Sequence, residues 1–159
     1  VLDDTYKEYV FTFNNIHASA GGVSVYLTFQ GSINGGSGYG VNITSTYFDA
    51  SHEENGASSS LSYQTAFDLA QSTNFQPIAT LLGGDNDNGT CGTLHLFNPS
   101  STTFVKHFTC TMNHPAASDE SKNSYIGGYF NTTSAIDAIQ FKLSTNNLQS
   151  GDICLYGIA

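Results

Sequence analysis

The chain is poor in charge, and positive charge is especially scarce. Only 11% of its 159 residues are charged, all four basic residues are lysines, and the net charge is -9. Proteins that bind nucleic acid neutralise phosphates with clustered lysine and arginine side chains. An anionic membrane surface attracts the same kind of cluster. The composition therefore predicts neither a nucleic-acid partner nor a membrane partner.

Tryptophan is absent, and cysteines and long apolar runs are few. The cysteines are Cys91, Cys110 and Cys154, and an odd number argues against a framework of disulfides. No apolar run approaches the ~20 residues of a membrane-spanning helix. The segment after Val1 lacks a charged start followed by an apolar run, so no signal peptide is predicted, as in a mature secreted chain.

Aromatic, β-branched and turn-forming residues are abundant instead. Apolar residues make up 39% of the chain, with 11 Phe, 9 Tyr and 16 Gly. This mixture at low charge is typical of sandwiches and barrels built from short strands. We predict an all-β fold: a single antiparallel β-sandwich domain over residues 1–159, jelly-roll-like, with eight to ten strands.

The clearest pattern lies near the carboxyl terminus. Ile139, Phe141 and Leu143 alternate with polar residues, a turn follows at 145–151, and Ile153 and Leu155 alternate again. Alternation on both sides of a turn predicts an antiparallel hairpin whose second strand lies within a sheet. Residues 66–71 could form one helical turn or belong to an irregular strand. Similar patterns predict further strands at 6–14, 22–30, 41–48, 76–82 and 125–130, with exposed loops at 49–60, 83–92 and 113–122.

A second hairpin is predicted over residues 91–112, around the turn at 98–101. A register that sets Phe97 opposite Phe104 also sets Cys91 opposite Cys110. These two cysteines are therefore a candidate disulfide pair, whose oxidation depends on the compartment. The same register places His95 and His107 on opposite faces.

The segment 85–89, with Asp85 and Asp87 separated by Asn86 and followed by Asn88 and Gly89, resembles a short calcium-binding loop. Oxygen ligands at alternate positions and a glycine turn suit a hard cation. The distal bidentate acid of such a loop is missing, so a solvated turn stabilised by its Asp and Asn side chains is the favoured alternative. Asp85 and Asp87 are the candidate calcium ligands, and no other cofactor is predicted.

No motif in the sequence predicts catalysis. The nucleophile elbow Gly-x-Ser-x-Gly is absent, and His52 and Glu53 lack the histidine pair of a metalloprotease helix. Some pair of acids on a sandwich would always suit a glycosidase. We predict no enzymatic activity and no catalytic residues. Four tyrosines are candidates for stacking on sugars, although ordinary strand positions explain each of them: Tyr39, Tyr47, Tyr63 and Tyr125.

Four stretches together carry a resemblance: 9–17, YVFTFNNIH; 34–39, NGGSGY; 94–101, LHLFNPSS; and 138–158, from AIQFKLS to SGDICLYGI. Their order resembles small β-sandwich virion structural proteins of tailed bacteriophages, especially the tail-fibre-like and capsid decoration proteins of marine and cyanobacterial phages. The resemblance implies a protein of the virion surface, assembled in the host cytoplasm, and a homotrimer. It carries over no catalytic residue.

Three functions remain in competition. The first is a capsid decoration, or cement, protein that binds the major capsid protein or other virion proteins. The second is a tail-fibre-type receptor-binding protein that reads a host glycan through polar loops such as 32–38, 49–60 and 83–90. The third is a secreted carbohydrate-active protein, which would need two carboxylates facing one cleft. We favour the first, because the chain shows no stalk, heptads or fibre repeat.

Overall fold

The structure, a computed structural model, describes residues 2–159, which form ten β-strands and no helix. The strands are β1 (Glu8–Ala18), β2 (Leu27–Ser32), β3 (Ile43–Glu53), β4 (Ser59–Tyr63), β5 (Gln76–Ala79), β6 (Thr90–Phe97), β7 (Lys106–Ala116), β8 (Glu120–Phe130), β9 (Ala138–Leu143) and β10 (Leu148–Ile158). Within the described residues, nothing helical is long and apolar enough to cross a membrane.

The strands form two antiparallel sheets of unequal size. The large sheet has the order β10-β1-β6-β7-β8-β3-β4, and the small sheet has the order β5-β2-β9. Every pairing between strands is antiparallel. The prediction of an all-β antiparallel sandwich is therefore confirmed.

The small sheet covers one side of the large sheet, which we call the inner face. Phe29 of β2 meets Phe108 edge-to-face with ring centroids 5.0 Å apart, and Phe141 of β9 lies 5.1 Å from both Phe11 and Phe13. Because side chains alternate along a strand, one apolar row runs across the inner face. Its members are directly paired: Leu155, Phe11, Leu94, Cys110, Ile126 and Tyr47.

The predicted closing hairpin is wrong. β9 pairs with β2 in the small sheet, whereas β10 pairs with β1 in the large sheet. The connection passes from one sheet to the other and is held against the segment after β1, where Ser19 N–H donates to the Asn147 carbonyl and Asn146 Nδ2 donates to the Ala20 carbonyl. Alternation identified both strands but carried no information about their partners.

Two predicted loops are also strands for most of their length. β3 runs on to Glu53, and β7 and β8 leave only residues 117–119 between them. Polarity misled the prediction, because Asp49, His114 and Lys122 face the core and find polar partners there. Residues 66–71 form no helix; they are turn and irregular chain.

The β6–β7 hairpin exists, but its predicted register is wrong by three residues. Leu94 lies opposite Cys110, and Cys91 lies opposite Asn113. The connection covers residues 98–105 and is longer than a tight turn. Ser101 Oγ stabilises it by accepting hydrogen bonds from the N–H groups of Thr103 and Phe104. An odd shift moves every side chain to the other face. Cys91 is therefore exposed on one face and Cys110 is buried on the other, and both are free thiols.

Candidate functional site

The small sheet leaves one side of the large sheet uncovered, and we call this side the outer face. It consists of the side chains that alternate with the buried ones along seven paired strands. One row crosses it completely, each member opposite the next in register. This row consists of Cys154, Thr12, Thr93, Thr111, Tyr125, Phe48 and Tyr63.

An aromatic cluster lies at the β3–β4 end of this row. The rings of Phe48 and Tyr125 are stacked, with centroids 5.0 Å apart and planes 14° from parallel. Phe48 is 41% exposed and Tyr63, opposite it on β4, is 52% exposed. Tyr63 is held by its hydroxyl, which donates to Asp68 Oδ2 at 2.6 Å. Rigid aromatic rings with polar tips are typical of surfaces that bind proteins or sugars.

The neighbouring rows carry little charge. One contains Tyr156, Val10, His95, Thr109, Gly127 and Thr46, and the next contains Glu8 and Phe97 on one side and His107, Tyr129 and Thr44 on the other. Within these rows the described charge is Glu8, whose carboxylate lies 2.6 Å from His95 Nδ1. The outer face is therefore a nearly uncharged surface of hydroxyl groups and aromatic rings.

Comparison with known proteins finds no similarity. No family model matches the chain, and no curated protein and no solved structure matches it. The resemblance to phage virion proteins accordingly stays a prediction from the sequence motifs.

A second surface feature is a groove of about 510 Å³ between the loop after β2 and the chain after β8. Its lining combines the apolar side chains of Ile33 and Val41 with amide and hydroxyl side chains; the polar members are Asn34, the half-buried Tyr39, Asn42, Asn131 and Thr132. Asn131 is oriented by a 2.7 Å hydrogen bond from its Nδ2 to Gln71 Oε1. Neutral amides beside an aromatic ring suit an uncharged polyhydroxylated ligand.

The candidate calcium ligands lie in the exposed loop between β5 and β6. Asp85 closes a turn, since its carbonyl accepts a hydrogen bond from Asn88 N–H at 2.9 Å. Asp87 lines a shallow cavity together with His17 and Asn15. Across residues 2–159, no three His, Cys, Asp or Glu side chains are grouped so as to hold a metal ion. Calcium binding by Asp85 and Asp87 stays a prediction, and any further ligands would have to be amides, carbonyls or water.

Several ionisable groups lie on the inner face, beneath the small sheet. Lys122 Nζ donates to Asp49 Oδ2 at 3.0 Å, and Glu120 lies 3.7 Å from the same ammonium group. His114 Nε2 lies 2.6 Å from the Thr80 carbonyl, and burial lowers the pKa of His114 to about 4. Burial also raises the pKa of Tyr47 to about 12. These groups line neither the amide groove nor the cavity at Asp87.

The four candidate tyrosines are placed differently from one another. Tyr47 is fully buried, Tyr39 lines the groove, and Tyr63 and Tyr125 lie on the outer face. Phe48 completes the aromatic cluster of Tyr63 and Tyr125, but no motif in the sequence singles it out. The alternation along Ile43–Glu53 is the signal that could reveal it, because a buried Tyr47 implies that Phe48 points to the opposite, outer face.

Proposed function

We propose that this protein is a non-catalytic binding protein that contacts a large partner through its outer face. The observation that carries the proposal is the uncharged row from Thr12 to Tyr63, with its stacked Phe48 and Tyr125 rings. Covering a broad surface with few charges costs little free energy of dehydration, because few ionic groups have to be desolvated. Such a surface suits broad contact with another protein better than capture of a small substrate.

The specific role that we favour is a decoration protein of a phage capsid, bound to the major capsid protein or to neighbouring virion proteins. The motif resemblance supports this choice, and so does a framework of seven continuous strands, which gives a rigid contact surface. About 600–1,000 Å² of this face would make a contact of standard size. The location on the virion surface belongs to the same proposal, and so does the homotrimer, which we propose forms from three copies bound together on the capsid.

The test is to replace the aromatic cluster and measure attachment to capsids that lack the chain. Phe48→Ser and Tyr125→Ser together should weaken binding at least tenfold, because stacked aromatic anchors supply most of the binding free energy in such contacts. The matched control is the pair Val23→Ser and Phe104→Ser, whose side chains are 65% and 69% exposed in loops outside the outer face. Unchanged attachment of the outer-face variant, with its fold intact by circular dichroism, would contradict the proposal.

A second candidate function, recognition of a host glycan, is favoured by the amide-lined groove. Tyr39 would pack against a sugar ring, and Asn42 and Asn131 would bind its hydroxyl groups. A glycan array followed by titration calorimetry tests this function. Asn42→Ala should then abolish glycan binding and leave attachment to capsids unchanged. If no neutral glycan binds, this candidate is eliminated.

A further inference from the structure

The two sheets have four edge strands, and three of them are protected against pairing with another chain. β4 has five residues, β5 has four residues including Pro77, and β9 carries Lys142, whose ammonium group lies 3.9 Å from the centre of the Phe75 ring. Short length, proline and lysine are devices by which natural proteins prevent edge-to-edge association.

The fourth edge, β10, lacks this protection over its last six residues. β10 has eleven residues; its pairing with β1 shifts register beside Gly151, whose φ is 108°, and is regular from Asp152, its one charged residue, to Ile158. From Ile153 to Ile158 it carries no charge and no proline. Its free edge therefore presents a row of main-chain N–H and C=O groups that can accept another strand.

β10 also exposes large apolar side chains on both faces. Ile153 and Leu155 lie on the inner-face side, opposite Phe13 and Phe11, but they are 37% and 44% exposed. On the outer-face side Tyr156 and Ile158 are 52% and 44% exposed. The small sheet ends at β9 and does not cover β10. Four exposed apolar side chains on one strand form a patch of the kind that marks a protein–protein interface.

We propose that β10 pairs antiparallel with β10 of a second copy of this chain, which joins the two large sheets into one sheet of fourteen strands. A two-fold axis perpendicular to the sheet keeps the inner and outer faces of both copies continuous. The contact is independent of the ligand that the outer face binds.

The side chains that two copies of β10 bring together around such an axis are compatible with one another. With the axis at Cys154, Ile153 lies opposite Leu155 of the second copy, and Asp152 lies opposite Tyr156. Axes at Ile153 and Leu155 likewise keep Asp152 away from its counterpart. No like charges meet in any of these registers, so a net charge of -9 per chain does not oppose the contact locally.

The contact would be small. Eleven residues span at most roughly 37 Å, and the single sheet at this edge, with its side chains, is roughly 10 Å deep. The pair would therefore bury on the order of 700 Å² in total, the size of a weak contact, to which main-chain hydrogen bonds between the two edges add. We expect a weak dimer that forms at high protein concentration.

Sedimentation equilibrium and chemical cross-linking test the proposal. At high protein concentration the wild-type chain should sediment at twice its monomer mass. Leu155→Lys should sediment as a monomer with an unchanged circular dichroism spectrum, because lysine on an edge blocks strand addition. The matched control is Leu61→Lys on β4, which is 74% exposed at the opposite edge and should remain dimeric.

Cross-linking provides a second readout that needs no disruptive substitution. In all three registers the Cys154 side chains lie opposite or diagonal to each other, within about 8 Å. A short bis-maleimide should therefore link two Cys91→Ser chains, while Cys154→Ser should prevent the link. A wild type that is monomeric at high protein concentration, a trimer that persists in Leu155→Lys, or a pair that Cys154 does not link would each overturn the proposal.

Discussion

At the scale of single residues, the most consequential feature is the ion pair buried on the inner face. The Lys122 and Asp49 side chains are 7% and 1% exposed, and Gln64 Nε2 donates to the second Asp49 oxygen. Removing one partner of a buried pair leaves an uncompensated charge, whereas removing both can be nearly neutral.

We expect Lys122→Met to lower the free energy of unfolding by about 3–5 kcal/mol, because Asp49 would lose its counter-ion in the core. Urea denaturation at pH 7 measures this loss. The double variant Asp49→Leu with Lys122→Met is the control, and it should recover most of the stability. A double variant as unstable as the single one would show that the loss comes from packing.

His114 should make the fold sensitive to mild acid. Its pKa in the folded chain is about 4, because burial disfavours the charged ring, against an ordinary value of 6.5. As the pH falls below 6.5 the unfolded chain takes up the proton first, so stability decreases until about pH 4. Between pH 7 and pH 5 we expect a loss of about 2 kcal/mol from this residue.

His114→Gln is the matched variant, since glutamine keeps a side-chain N–H for the Thr80 carbonyl. Its unfolding free energy should fall less between pH 7 and pH 5 than that of the wild type. Equal pH dependence of the two proteins would contradict the assignment to His114.

At the scale of elements, the β6–β7 register makes the three thiols chemically distinct. Cys91 is exposed, Cys154 is half-buried, and Cys110 is buried with a raised pKa. We expect Cys91 to react readily with a thiol reagent in the native protein, and Cys110 to react only when the chain unfolds. Replacing Cys91 by serine should remove a fast phase of the reaction. Mild oxidation that links Cys91 to Cys110 in the native protein would contradict the register.

The sequence predicts the elements better than their partners. Alternation located β1 and β6 because their buried side is apolar, and it located β10 because Ile153 and Leu155 alternate with their neighbours, so each pattern is local. It missed the ends of β3, β7 and β8, where Asp49, His114 and Lys122 are buried and read as loop residues. Strand partners depend on connections such as 144–147 and 98–105, whose lengths and side-chain hydrogen bonds no local pattern reveals. The sequence therefore does not predict that these strands share one outer face, although it does single out Tyr63 and Tyr125, which lie there.

At the scale of the whole molecule, scarce charge determines how binding should respond to salt. The charges of the outer face are Glu8, already paired with His95, and Asp152 at its β10 edge, so its contacts depend mainly on apolar and hydrogen-bonded groups. In about 1 M salt, where the screening length is ~3 Å, attachment to capsids should persist. A salt wash followed by electrophoresis of the particles measures retention. Release at moderate salt would show that charged groups outside this face dominate the contact.

The pairing of β1 with β10 also determines when the fold can be completed. Residues 8–18 meet residues 148–158, so the edge of β1 has no partner until almost the whole chain is available. Closing so long a loop costs entropy before any contact compensates for it, and folding slows as the sequence distance between contacts grows. Refolding should therefore take on the order of milliseconds to seconds or longer. A newly made chain would wait for its last strand, with β1 open to wrong partners in the meantime.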